Sequence, residues 1–152
     1  MRIKRIKERI YNSPLRPLYV TASKIKRGIN RRRMIREWDY DSKEPPPHFI
    51  KQYVIKRFAR RYGTPYFIET GTYRGEMLHA QIDIFKKLSS VELSEKLYED
   101  LKQMEWGSKV RLYCGDSGEL LHSMITDLGV DTGILFWLDG HYSEGITAKG
   151  TL

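Results

Sequence analysis

Residues 67–75 read Phe-Ile-Glu-Thr-Gly-Thr-Tyr-Arg-Gly, and they constrain the fold more than any other stretch. An apolar pair, an acid, a glycine two residues on and a second glycine four later predict a strand that turns sharply into a helix. Glycine tolerates the positive φ that such a turn demands and lets a ligand approach the backbone. Glu92 follows Gly71 by 21 residues, at the end of the next apolar run. An acid at that interval, on the tip of the following strand, is placed to hold ribose hydroxyls. The stretch therefore predicts an adenosine-containing ligand at the carboxyl ends of parallel strands.

From Pro65 onward the pattern alternates between strand and helix. Strands are predicted at Tyr66–Ile68, Ser90–Leu93, Val110–Tyr113 and Ile134–Leu138. Between them, 75–87 reads as a helix with Leu78, Ile82 and Phe85 inward. The next helix is capped by Ser94 and buries Leu97, Leu101 and Met104. A third opens at a capping box, Asp116 to Glu119, and buries Leu120, Leu121, Met124 and Leu128. The unbroken apolar run of the fourth strand suits burial on both faces of a parallel sheet. Such alternation implies an α/β, Rossmann-like parallel sheet, with the ligand crevice at the switch point beside the first strand. Glu69, Glu92, Asp116 and Asp139 each fall at a predicted strand end. Upstream, 48–62 reads as a helix with Ile50, Tyr53, Val54 and Phe58 on one face, ended by Gly63.

Charge is unevenly divided. Residues 1–63 hold 19 Lys+Arg and 5 Asp+Glu, whereas residues 64–152 hold 8 and 14. The basicity thus belongs to the N-terminal part: residues 1–36 carry 13 basic residues against Glu8 alone. Ile3, Ile6 and Ile10 keep helical spacing, as do Ala22, Ile25 and Ile29, with Pro14 and Pro17 between, so two short basic helices are expected there. Pro45-Pro46-Pro47 reads as a stiff linker. The expected division is a basic arm and linker over 1–47 and an α/β domain over 48–152. A basic arm of this kind suits an anionic membrane surface or nucleic acid, with the membrane favoured by the isoleucine spacing. No apolar run approaches a membrane span and no signal-peptide core is present, so a cytoplasmic chain, peripheral to a membrane at most, is expected. The single cysteine, Cys114, allows no internal disulfide and is expected to be a small buried apolar residue.

A nicotinamide dinucleotide needs a glycine two residues after the first, where its diphosphate touches the backbone. Tyr73 holds that position here. A ligand without a phosphate tolerates the looser Gly71-x-x-x-Gly75 spacing. The ordered set Phe67–Gly75, Val91-Glu92-Leu93-Ser94, Cys114-Gly115-Asp116-Ser117 and Trp137-Leu138-Asp139-Gly140-His141-Tyr142-Ser143 resembles class I S-adenosylmethionine-dependent methyltransferases. Within them it is most similar to a branch with an Asp-Gly-His-Tyr-type signature after the fourth strand, often O-methyltransferases of sugars or natural products. The resemblance spans about residues 50–150.

The resemblance implies that Glu69, Gly71, Thr72 and Gly75 shape the loop under the methionine moiety of S-adenosylmethionine. It implies that Glu92 takes the ribose hydroxyls and that Asp116, with Ser117 beside it, faces the adenine amino group. Asp139 and His141 would border methyl transfer to a small-molecule or glycan hydroxyl, with His141 as base near neutral pH. Some relatives bind a divalent metal at this strand end. Asp139 would be one ligand, but the sequence offers no complete set. The resemblance also implies further strands after the fourth. The expectation is a truncated chain, an oligomer, or a partner that covers Ile134–Leu138, the first being favoured. The rival functional readings are a non-catalytic module docking through its basic arm and a nicotinamide-dependent oxidoreductase. Each residue also has a plain structural role open to it: Gly71 and Gly75 as a simple turn, Glu92 as a helix-start charge, Asp116 as an N-cap, His141 as a solvent-facing loop residue and Trp137 as core.

Overall fold

The computed structural model describes residues 13–14, 16–39, 41, 44–130 and 133–139. His141 and the first expected basic helix lie outside the described residues. The chain forms two compact units, Met1–Ile50 and Lys51–Leu152.

In the first unit, α1 (Arg16–Glu37) is one continuous helix of 22 residues. Pro17 lies in its first turn. Helical N–H groups have no intrahelical partner there, so the proline starts the helix rather than breaking it. Ala22, Ile25 and Ile29 do lie on this helix, yet none of its residues is buried. The helix α2 (His48–Tyr62) begins just before the boundary between units and ends where expected. Gly63 adopts φ 64°, and the Thr64 amide closes back on the Ala59 carbonyl at 3.2 Å.

The second unit is built on four parallel strands: β1 (Tyr66–Thr70), β2 (Lys87–Glu92), β3 (Val110–Cys114) and β4 (Ile134–Leu138). The sheet order is β3-β2-β1-β4, so the chain steps outward in one direction from β1 and then returns to its other side. This is the Rossmann-like switch point, and it falls beside β1 as the alternation predicts. Connecting helices are α3 (Glu76–Gln81), α4 (Glu95–Lys102) and α5 (Ser117–Leu128).

Strand pleating sends successive side chains to opposite faces. Phe67 and Leu88 join Ile55 and Ala59 of α2, Met77 and Leu78 of α3, and Leu101 of α4 in one cluster. Phe85 stacks on Phe67 with ring centroids 5.0 Å apart. Ile68 and Val91 point the other way and meet Met124 and Leu128 of α5. Glu69 and Ser90 share the first face, at register-paired positions one pleat nearer the carboxyl ends.

Several expectations need correcting. The helix after β1 stops at Gln81 instead of continuing to Lys87, because the chain turns there: the Ile84 amide bonds the Gln81 carbonyl, and the Lys86 amide bonds the Pro65 carbonyl at the foot of β1. β2 consequently starts at Lys87, three residues earlier than expected. The buried stripe of α2 runs through Ile55 and Ala59, and Phe58 faces outward against Tyr62. Met104 lies past the end of α4 and is exposed. Cys114 is exposed, because it ends β3, an edge strand. β4 is the other edge among the described residues, so Phe136 and Leu138 are exposed and the strand is not buried on both faces.

Gly75 shows why the β1–α3 turn has the sequence it has. It adopts φ 72°, and a Cβ there would sit 2.5 Å from Cη2 of the buried Trp106. Trp106 is itself fixed by its indole N–H on the Leu101 carbonyl at 2.7 Å. Gly75→Ala should therefore add overpacking to the left-handed backbone cost, about 2–4 kcal/mol together. Gly129 has a similar φ of 60° with open space around its Cβ direction, so Gly129→Ala should cost only about 1 kcal/mol. Urea unfolding of the two variants checks this; equal losses would contradict the packing role of Gly75.

Candidate active site

The loop after β1 is tied to β2 by its backbone. The amides of Gly71 and Thr72 both reach the Val91 carbonyl, at 2.9 and 3.3 Å, and Gly71 adopts φ 80°. Tyr73 then adopts φ 52°, a left-handed conformation that a side chain disfavours. Its amide donates to Oε2 of Glu92 at 2.7 Å. The other oxygen of the same carboxylate, Oε1, accepts the Ser94 amide at 2.9 Å. One buried side chain therefore joins the turns that follow β1 and β2. Ser94 also caps α4, accepting the Leu97 amide on its hydroxyl.

Beneath this tie lies a buried polar chain. Thr72 Oγ1 and Ser90 Oγ are 2.7 Å apart, and Ser90 Oγ donates to Glu69 Oε2 at 2.9 Å. Glu69 is almost fully buried. Burial pushes its carboxyl up to about 8; the Ser90 hydrogen bond opposes this, and the nearby negative charges of Asp139 and Glu92 add to it. At neutral pH Glu69 is therefore predominantly the neutral acid.

At the end of β4, Asp139 Oδ2 meets Lys51 Nζ of α2 at 2.8 Å, with both side chains partly buried. The same ammonium lies 5.6 Å from the centre of the Trp137 ring. Trp137 packs against the first-face core through its partly buried ring. Asp116, two residues beyond β3, caps α5: its Oδ1 accepts the Gly118 amide at 2.7 Å. Ser117 is the first residue of that helix.

Glu69 and Thr72 are thus joined through Ser90, Glu92 is joined to their loop, and Asp139 is close enough to bias Glu69. Gly75 closes the same loop, its amide on the Thr72 carbonyl at 2.9 Å, while its Cβ direction faces Trp106, and Asp116 with Ser117 lies just past the end of β3. Two participants were not singled out by sequence. Lys51 is hidden among the other basic residues of α2, although its position four before Ile55 and eight before Ala59 places it on the sheet-facing side. Ser90 is a hydroxyl inside a buried strand, and its only sequence signal is that polarity. A cleft of about 340 Å³ runs beside the loop, between Tyr73, Arg74 and the flank of α4, but none of the four carboxylates lines it. Among the described residues, no three His, Cys, Asp or Glu side chains gather as a metal would require.

No family model matches the chain, and no curated protein matches it. Among solved structures, a Staphylococcus aureus protein assigned as a caffeoyl-CoA O-methyltransferase aligns at 18% identity and TM-score 0.43, over 60% of this chain and 46% of that one. The O-methyltransferase TomG from Streptomyces achromogenes, involved in tomaymycin synthesis and solved with SAM, aligns at 15% identity and TM-score 0.42, over 55% of this chain and 41% of its own. The chain thus spans less than half the length of either.

The protonated Glu69 has a consequence for stability. Its folded value of about 8 lies above the ordinary 4.5. Between those values the folded chain holds a proton that the unfolded chain has released, so this group's contribution falls as pH rises through the window. Glu69→Gln keeps an acceptor for Ser90 and removes the ionisation. Thermal unfolding should show the wild-type chain losing stability between about pH 5 and pH 8 relative to the variant, by on the order of 4 kcal/mol at the upper end. Parallel pH profiles would contradict the buried neutral acid.

Proposed function

We propose that the α/β unit belongs to an S-adenosylmethionine-dependent methyltransferase that methylates a hydroxyl of a sugar or another small metabolite. The observation that carries this reading is the placement of Glu69, Glu92, Asp116 and Asp139 at the carboxyl ends of four parallel strands, around the point where strand order reverses. Open α/β sheets bind ligands at that place.

The donor set suits this cofactor. Each carboxylate oxygen of Glu92 accepts one backbone amide and retains acceptor capacity for a ribose diol, since an ionised carboxylate offers about four lone-pair sites. Asp116 uses Oδ1 for its cap, which leaves Oδ2 to accept from the adenine amino group. A dinucleotide fits less well, because the Tyr73 amide that would face a diphosphate is already committed to Glu92.

When bound, S-adenosylmethionine supplies a methyl group on a cationic sulfur, which an acceptor oxygen displaces in line. The chain's own contribution is positioning and charge. A cation beside Glu69 favours the ionised acid, so binding near neutral pH is accompanied by proton release from that carboxyl. Lys51 orients Asp139 at the mouth of the site. His141, two residues beyond Asp139, serves as the base that takes the acceptor's hydroxyl proton.

Calorimetric titration of S-adenosylhomocysteine into the full chain tests the reading. Saturable binding is expected, weakened about tenfold in Asp116→Asn, a substitution that preserves the helix cap while reversing hydrogen-bond polarity toward the adenine amino group. Absence of binding by a folded chain, or equal affinity in the variant, would overturn the assignment of this site.

A further inference from the structure

The helix α1 has a surface that the methyltransferase reading does not use. Its 22 residues carry Arg16, Lys24, Lys26, Arg27, Arg31, Arg32, Arg33 and Arg36 against a single acid, Glu37. That acid is paired with Arg33 at 3.5 Å on the exposed surface. Leu18, Ala22, Ile25 and Ile29 follow at intervals of four, three and four residues, which aligns them along one side of a helix. Leu18 is 70%, Ile25 58% and Ile29 60% exposed. A helix of this length spans about 33 Å.

A line of large aliphatic side chains uncovered in water is costly, and the basic residues around it do not conceal it. We infer that α1 lies flat on an anionic lipid bilayer, with Leu18, Ala22, Ile25 and Ile29 at the acyl boundary and the Lys and Arg side chains reaching the headgroups. Charge complementarity selects the anionic surface, because each basic group near such a leaflet adds to the attraction. The aliphatic line selects lipid over nucleic acid: phosphate contacts need the cations and gain nothing from exposed leucine and isoleucine. Long cationic side chains can lay their stems along the apolar line and place their charge in the headgroup layer. No described helix is long and apolar enough to cross a membrane, so the geometry is that of a helix lying in the interface. The device would hold the chain at a surface whatever reaction the α/β unit performs.

Flotation of the full chain with unilamellar vesicles tests this. Vesicles of phosphatidylcholine containing about 30% phosphatidylserine should carry the protein at about 0.1 M salt, and phosphatidylcholine alone should not. Ile25→Ser with Ile29→Ser should lower partitioning at least about tenfold, as should Arg31→Glu with Arg32→Glu. Both pairs sit on an exposed helix, and unchanged circular dichroism and thermal unfolding verify that the variants fold. No flotation with anionic vesicles overturns the inference. So does flotation unaffected by the isoleucine substitutions, or tighter binding to an RNA or DNA oligonucleotide that displaces the chain from vesicles.

Discussion

The carboxylate of Glu92 is the tie on which the carboxyl edge of the sheet depends. It accepts backbone amides from Tyr73 and Ser94, which lie on the two turns that follow β1 and β2. Charge-assisted bonds of this kind are short and stronger than neutral ones. Their effect is geometric: the first turn is held where Gly71 and Thr72 also reach Val91, and the second where Ser94 can cap α4. The acid that sequence alone would assign to a ligand therefore also shapes the two turns that follow β1 and β2.

That tie sits over a region arranged against the usual preferences of a folded chain. Tyr73 occupies a left-handed conformation, and Glu69 is an acid in the interior beside two other carboxylates. Each is individually unfavourable, by roughly 1–3 kcal/mol for a strained residue. The surroundings compensate: the Tyr73 amide gains a carboxylate, and Glu69 gains the Ser90 hydroxyl and loses its charge. A buried acid held largely neutral beside two other carboxylates is suited to a cationic ligand, which would favour its ionised form on arrival. Lys51 does the complementary work at β4, where it balances Asp139 beside the Trp137 ring.

Much of this arrangement is legible in the sequence, and the misses have physical causes. The four strands and their order of appearance follow from apolar runs between turn residues, and β4 spans the residues expected, 134–138. Helix ends are less legible. The segment 82–87 keeps inward apolar residues at helical spacing, but hydrogen bonds to Gln81 and Pro65 turn it into a connection that positions Phe85 under Phe67. On α2, Phe58 is the larger apolar residue, yet the smaller Ala59, one turn after Ile55, is the one buried in the cluster, while Phe58 is exposed. Cys114 is exposed for a topological reason: no local pattern says that β3 is an edge of the sheet among the described residues. At the site, the acids are legible by position. The Lys51–Asp139 pair joins residues 88 apart, a distance that no local motif can span.

The central claim is that the turns tied together by Glu92, with the start of α5, form one adenosine-binding surface. Backbone amide chemical shifts of the isotopically labelled chain, recorded while S-adenosylhomocysteine is added, test it most directly. The account predicts saturable shifts concentrated at Gly71–Tyr73, Glu92–Ser94 and Asp116–Ser117, all with one midpoint, and none along α1. Shifts absent from those three segments, or confined to the cleft between Arg74 and the flank of α4, would contradict it.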